Sequence, residues 1–237
     1  MEIIKTDSFE LAVNILGDEN AERFIFCLPG RLDTKDYASM QSHIEFFASK
    51  GFCAVSFDPP GTWESPGDTS LYSQKNYLQA IDELIAYFGN KPTVLLGHSR
   101  GGTMAMLAGI RNAYVSHIIS IMSNWGPSDK PESTDLSYVT HRDLPPGTSR
   151  TIERKRFELD WSYFDDTTEY IGLDTCSKPK LFFAGTQDVL VTPESVKNTF
   201  DIAAEPKLFY ELESEHDYRL QPAIIKEVNE VVLQFLN

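Results

Sequence analysis

The chain has 237 residues, 41% of them hydrophobic and 24% charged, with a formal net charge of −14. This is the composition of an ordinary globular protein long enough to bury a full core. The negative charge argues against nucleic acid or an anionic membrane as partner, since phosphates are repelled over most of the surface, and no apolar run approaches the roughly 20 residues of a membrane span.

The N-terminal MEIIKTDSFE has mixed charge and no apolar stretch of the kind that marks secretion. Cys27 and Cys53 sit in apolar strand-like runs and Cys176 in a polar one, and no CxxC pair exists. These features predict a cytoplasmic protein with no metal and no cofactor.

Strand and helix signals then alternate along the chain. FELAVNIL reads as a hairpin-like start and FIFCLPG as a strand ending at a Pro-Gly turn. Residues 36–49 place Tyr37, Met40, Ile44, Phe47 and Ala48 on one helical face, with Gly51 beyond the end. CAVSFD is a buried strand, and DPPGTWESPGD is a loop by its Pro, Gly and Asp density. A helix over about 71–88 carries Tyr77, Leu78, Ile81, Leu84, Ile85 and Phe88 at helical spacing. PTVLLGH is the next strand, 103–110 a small-residue helix, and VSHIISIMS another strand. From 124 to 175 the chain is rich in charge, Pro, Ser and Thr. It reads as an excursion without strands, holding short helices near 149–160 and 162–171. KLFFAG and PKLFYEL are the last strands, and Pro222 opens an amphipathic helix.

Strand runs that stay apolar rather than alternating imply a sheet covered on both faces, hence a mostly parallel one between helices. The expectation is α/β: a single domain over 1–237 with residues 124–175 inserted in it.

GHSRGG, residues 97–102, joins the strand PTVLL to a helix and is the G-x-S-x-G nucleophile elbow in its required setting. Serine on so sharp a turn tolerates no bulk two residues away, which explains Gly97 and Gly101. Downstream, Asp188 follows the strand KLFFAG, and His216 follows PKLFYEL. The order Ser, Asp, His, each beyond the carboxyl end of a strand, fits a site at the edge of an open α/β sheet.

On these motifs the chain resembles an α/β-hydrolase from about Glu22 to its end. The resemblance implies that Ser99 attacks an acyl carbon, His216 is the general base and Asp188 fixes the imidazole. It also implies a short cap formed by residues 124–175. Oxyanion donors would be the backbone N–H of Arg100 and an N–H from the loop after FIFCL, Arg31 or Leu32. That loop reads Pro29-Gly30-Arg31 where the family often has His-Gly. Among the other candidates, His98, His43, His117 and His141 read as structural or surface histidines. Asp217 is too close in sequence to fold back and orient His216, and Glu213 and Glu215 read as solvated acids. Asp58 in DPPGTWES reads as the holder of a turn.

Leu32, Trp63, Trp125 and Trp161 are the expected pocket-lining residues, with Tyr163 and Phe164 completing an apolar ceiling. Arg150, Arg154, Lys155 and Arg156 read as a solvated helix face, with contact to a substrate carboxylate or phosphate as the alternative. The implied partner is a small-molecule acyl substrate, with no nucleic acid and no membrane insertion. The same three residues serve esterase, peptidase, thioesterase, C–C hydrolase and perhydrolase chemistry. A low-turnover small-molecule-binding protein is the reading from another class.

Overall fold

The computed structural model describes residues 2–127, 130–150, 152–165 and 167–237. Antiparallel strands β1 (Glu2–Lys5) and β2 (Glu10–Leu16) open the chain. Next come β3 (Phe24–Leu28), α1 (Ala38–Ala48), β4 (Cys53–Phe57), α2 (Gln74–Tyr87), β5 (Thr93–His98), α3 (Arg100–Arg111) and β6 (Val115–Ile121). A separate pair, β7 (Tyr138–Asp143) and β8 (Arg154–Leu159), precedes β9 (Lys180–Gly185), α4 (Pro193–Ile202), β10 (Lys207–Leu212) and α5 (Pro222–Leu236).

Eight strands form one sheet in the order β1-β2-β4-β3-β5-β6-β9-β10. β2 is antiparallel to β4, and all strands from β4 to β10 in that order run parallel. The unbroken apolar runs are buried because helices cover both faces. In β3, Phe24, Phe26 and Leu28 pack with Tyr77 and Ile81 of α2, Met104 of α3 and Val196 of α4. The alternate residues Ile25 and Cys27 pack with Met40, Ile44 and Phe47 of α1 and Val228 and Val232 of α5. This two-residue alternation between opposite cores is what the pleat of a doubly covered strand dictates.

Local chemistry sets the helix starts. The Ser73 side chain accepts from the Asn76 N–H at 3.1 Å, so α2 begins after residue 73 rather than near 71, and residues 69–71 form a single 3-10 turn. Thr192 caps α4 by accepting from the Ser195 N–H at 3.2 Å, with Pro193 in the first turn. No helix among the described residues is long and apolar enough to cross a membrane.

The excursion after β6 corrects the sequence reading. In place of short helices near 149–160 and 162–171 it holds the antiparallel pair of β7 and β8, followed by one 3-10 turn at Trp161–Phe164. In β8, Phe157 and Leu159 are buried while Arg154, Arg156 and Glu158 are exposed, a two-residue period that a dense run of charges disguises. Phe157, Leu159, Tyr163 and Phe164 pack with Leu32 and Tyr72 in a third cluster, with Trp63, Tyr138 and Trp161 at its margin. Arg219 ties this layer to the sheet by a 2.6 Å ion pair with Asp143 of β7, both side chains buried. The Tyr37 hydroxyl donates to the Asp143 carbonyl at 2.9 Å.

Candidate active site

β5 ends at His98 and α3 begins at Arg100, leaving Ser99 alone on the turn with φ 52° and ψ −122°. That conformation is costly for a residue with a side chain and persists only where its surroundings fix it. Here the Ser99 N–H donates to the Ile121 carbonyl at 2.9 Å. The Ser99 carbonyl accepts from Gly102 and Thr103 N–H and from the Ser123 hydroxyl, the last at 2.6 Å. A Cβ at residue 97 would lie 2.1 Å from the Gly101 carbonyl oxygen, and one at residue 101 would lie 2.1 Å from that of Leu28. Both glycines are therefore demanded by backbone packed against backbone.

His216 follows β10 and Asp188 follows β9, as the chain order predicts. His216 Nε2 lies 2.9 Å from Ser99 Oγ, and His216 Nδ1 lies 2.7 Å from an Asp188 carboxyl oxygen. A carboxylate only accepts, so the proton sits on Nδ1 and Nε2 presents its lone pair to the serine hydroxyl. The second Asp188 oxygen accepts from the N–H groups of Leu190 and Val191 at 2.8 and 2.9 Å. Burial works to raise the Asp188 carboxyl, but His216 and these two donors outweigh it and hold the group below its usual range.

His98 donates from Nε2 to the His216 carbonyl at 2.9 Å, steadying the backbone of the histidine loop. Burial, with His216 beside it, lowers its basicity. His43 is buried between Asn229 and Tyr218, His117 packs on Phe235, and His141 lies exposed on β7. Asp217 pairs with Arg150 at 2.7 Å and lies 3.9 Å from Arg219. Asp58 accepts from the Thr34 hydroxyl and from Lys35 and Glu64 N–H, holding the loop after β3 against the loop after β4. Asp36, Asp58 and Glu64 converge as a cation site would. The Lys35 ammonium lies among them, 2.6, 3.6 and 2.5 Å away respectively, and supplies the positive charge itself.

After β3 the chain turns tightly, the Asp33 N–H donating to the Gly30 carbonyl at 3.1 Å with Leu32 at φ 58°. The Leu32 N–H donates to the Tyr72 hydroxyl at 3.2 Å. The backbone at Gly30 lies close to the serine: a Cβ at residue 30 would stand 3.4 Å from Ser99 Cβ.

A cavity of about 430 Å³ opens over Ser99 and His216. Its walls correct the expected pocket: Leu32, Trp63, Trp125 and Trp161 do not line it. Leu32 is fully buried in the third cluster. The indole N–H of Trp63 donates to the Leu32 carbonyl and that of Trp161 to the Asp135 carbonyl. Trp125 packs edge-on against Tyr170. Each large ring goes where it is packed and, for the first two, where its N–H finds an acceptor. The walls instead carry arginines, aspartates, Thr103 and Asn124, and Leu190 and Val191 from the Asp188 loop. Arg150 and Arg154 of the basic run reach this wall, whereas the Lys155 ammonium donates to the Trp63 carbonyl and Arg156 pairs with Glu158. Arg142 and Arg219 were not singled out from the sequence, and Arg219 stands only three residues after His216.

No curated protein sequence matches the chain significantly. Among solved structures, the fold is similar to that of Est1E from Butyrivibrio proteoclasticus, determined with ferulic acid bound, at 17% identity and TM-score 0.75 over 100% of this chain and 99% of that one. It is similar to a Paleococcus ferrophilus monoacylglycerol lipase at 20% identity and TM-score 0.75, covering 96% and 98% of the two chains. The enol-lactonase from Burkholderia xenovorans LB400 gives 15% identity and TM-score 0.76 over 99% of each chain. Likeness at such identities is one of fold. The sequence itself matches the family model for the alpha/beta hydrolase fold over residues 24–159, more than half its length. The chain belongs to the α/β-hydrolase family.

Proposed function

We propose that the protein is a serine hydrolase that cleaves a carboxylic ester or related acyl compound through an acyl-enzyme. The observation that carries this reading is the continuous hydrogen-bonded relay from Ser99 through His216 to Asp188, at 2.9 and 2.7 Å. A serine hydroxyl is a weak nucleophile at neutral pH and needs an adjacent base. His216 Nε2 takes the hydroxyl proton as Oγ attacks the acyl carbon, then returns it to the leaving alkoxide. Asp188 stabilises the imidazolium formed between these steps. Water attacks the acyl-enzyme by the same route in reverse. The N–H groups of Arg100, at the start of α3, and of Arg31 stabilise the oxyanion. Donors of this kind are worth about 3–4 kcal/mol each in the transition state.

Residues 124–175 serve as the cap, since Pro127, Arg142, Asp143, Arg150 and Arg154 share the cavity wall with Ser99. A low-turnover binding protein has no use for a serine held in strained geometry against a correctly protonated base. The test is labelling by a neutral fluorophosphonate with hydrolysis of a short p-nitrophenyl ester. Wild type should react, and Ser99→Ala should lose labelling and about 10⁴–10⁶ in turnover. Undiminished hydrolysis by Ser99→Ala refutes the assignment.

A further inference from the structure

The wall of the cavity has a charge opposite to that of the protein. The chain carries a net −14, yet the cavity is lined by six arginines, Arg31, Arg100, Arg142, Arg150, Arg154 and Arg219, against three carboxylates, Asp33, Asp143 and Asp217. The chain has nine arginines and twelve lysines. Two thirds of the arginines lie here and none of the lysines does. A generally basic, solvated face would draw on both residue types. Guanidinium alone offers a planar fork matched to two oxygens of a carboxylate or phosphate, and is the cation more easily stripped of water.

We propose that the acyl substrate bears a second, anionic group, a carboxylate or phosphate remote from the scissile bond, and that these arginines hold it. The inference rests on the serine-hydrolase reading for what is cleaved, and on the cavity alone for what is bound.

The three carboxylates do not neutralise the wall. Asp143 is shared between Arg219 at 2.6 Å and Arg154 at 3.1 Å, and Asp217 between Arg150 at 2.7 Å and Arg219 at 3.9 Å. Asp33 lies 3.5 Å from Arg142, and burial raises its carboxyl against the pull of that arginine. Arg31 has no carboxylate partner among the described residues. Its guanidinium stands 5.6 and 5.9 Å from the ring centres of Tyr138 and Phe164, which orient the group without neutralising it. Arg142 fixes the same loop by donating to the Arg31 carbonyl at 3.1 and 2.8 Å.

Arg31 adjoins Gly30, and a Cβ at Gly30 would lie 3.4 Å from the Cβ of Ser99. Arg31, without a carboxylate partner among the described residues, thus lines the same cavity as Ser99, and Arg154 and Arg150, each sharing a carboxylate, continue the arginine wall to the exposed rim. A cavity of about 430 Å³ matches a small molecule carrying an acyl group and one anion. A neutral substrate would take these guanidinium groups out of solvent without matching their excess charge.

The experiment compares p-nitrophenyl esters of equal acyl length ending in methyl, carboxylate, phosphate or trimethylammonium. Either anionic ester should exceed the methyl ester in kcat/KM by about tenfold or more, mainly through KM, with the cationic ester poorest. The better of the two anions identifies the source. Raising NaCl from about 0.05 to 0.5 M should shrink the preference, because the rim arginines are screened. Arg154→Gln and Arg31→Gln should each lower the anionic-to-neutral ratio several-fold, with unfolding curves confirming that both variants are folded. Thermal shift of Ser99→Ala by succinate and by inorganic phosphate, and its loss in Ser99→Ala/Arg31→Gln, reads binding without turnover. Fluorophosphonate labelling without any anionic preference or anion-dependent shift overturns this inference and leaves the serine hydrolase standing. Anion binding without labelling does the reverse.

Discussion

Replacing Asp188 by asparagine tests the proton relay rather than the fold. The carboxyl accepts three hydrogen bonds, two from backbone N–H groups on one oxygen and one from His216 on the other. Asparagine retains a single acceptor oxygen. The two fixed N–H donors of Leu190 and Val191 claim it, which turns the amide NH₂ toward His216 Nδ1. The imidazole then carries its proton on Nε2 and faces Ser99 as a donor, unable to accept the hydroxyl proton. Turnover should fall by about 10⁴, or about 5 kcal/mol of transition-state stabilisation at 1.36 kcal/mol per tenfold.

Stability at neutral pH should change little, because the backbone bonds survive. The acid limb of unfolding should change more. Since Asp188 is held below the usual carboxylate range, its contribution is fully present above the unfolded value of about 3.9 and is lost as pH falls through the lower folded value. The variant should lack that loss. Steady-state hydrolysis, fluorophosphonate labelling followed for hours, and unfolding as a function of pH read the three effects. Labelling should persist slowly and quicken at alkaline pH. Full activity would refute the relay, and Asp217, held by Arg150, offers no ready substitute.

Gly101→Ala should destabilise the protein by about 1–3 kcal/mol or more in urea unfolding and impair labelling. Its Cβ would lie 2.1 and 2.6 Å from the Leu28 and Pro29 carbonyl oxygens, both backbone, so α3 and the serine turn must shift; unchanged stability would contradict that packing. His43 is lowered by burial from 6.5 to about 4, so the unfolded chain binds a proton there that the folded one refuses. Stability should decline by on the order of 3 kcal/mol as pH falls from about 6.5 to about 4 and then level from this source; His43→Gln should reduce that slope, while His98 and His117, also lowered by burial, keep contributing to it.

The sheet was legible wherever burial on both faces left strands such as FIFCL and TVLLGH free of charge. The serine turn was legible because backbone crowding at residues 97 and 101 admits only glycine. The small-residue run 103–110 marks only part of α3, since Gly101 and Gly102 are poor helix formers. The helix begins at 100, tertiary contact with β3 overriding propensity. β8 escaped because RKRFEL shows its two-residue period only at Phe157 and Leu159, with charges filling the solvent side. The tryptophans misled because large rings suit a pocket and a packed cluster equally well in sequence, and here Trp63 and Trp161 satisfy their indole N–H groups at the margin of the third cluster.

The arginine wall was only partly legible for a different reason. Arg31, Arg100 and Arg219 stand within three residues of Gly30, Ser99 and His216, so half of the wall travels with the motifs of the candidate site. Arg142, Arg150 and Arg154 arrive from β7, the start of β8 and the connection between them, through a pairing the charge pattern conceals. Net charge reports the sum over the surface, whereas a substrate within a Debye length of about 8 Å at physiological salt feels chiefly the groups that face it. An acidic chain can therefore present a basic cavity. The surrounding negative field also disfavours unspecific binding of anions elsewhere, so that discrimination rests on the few residues that line the site.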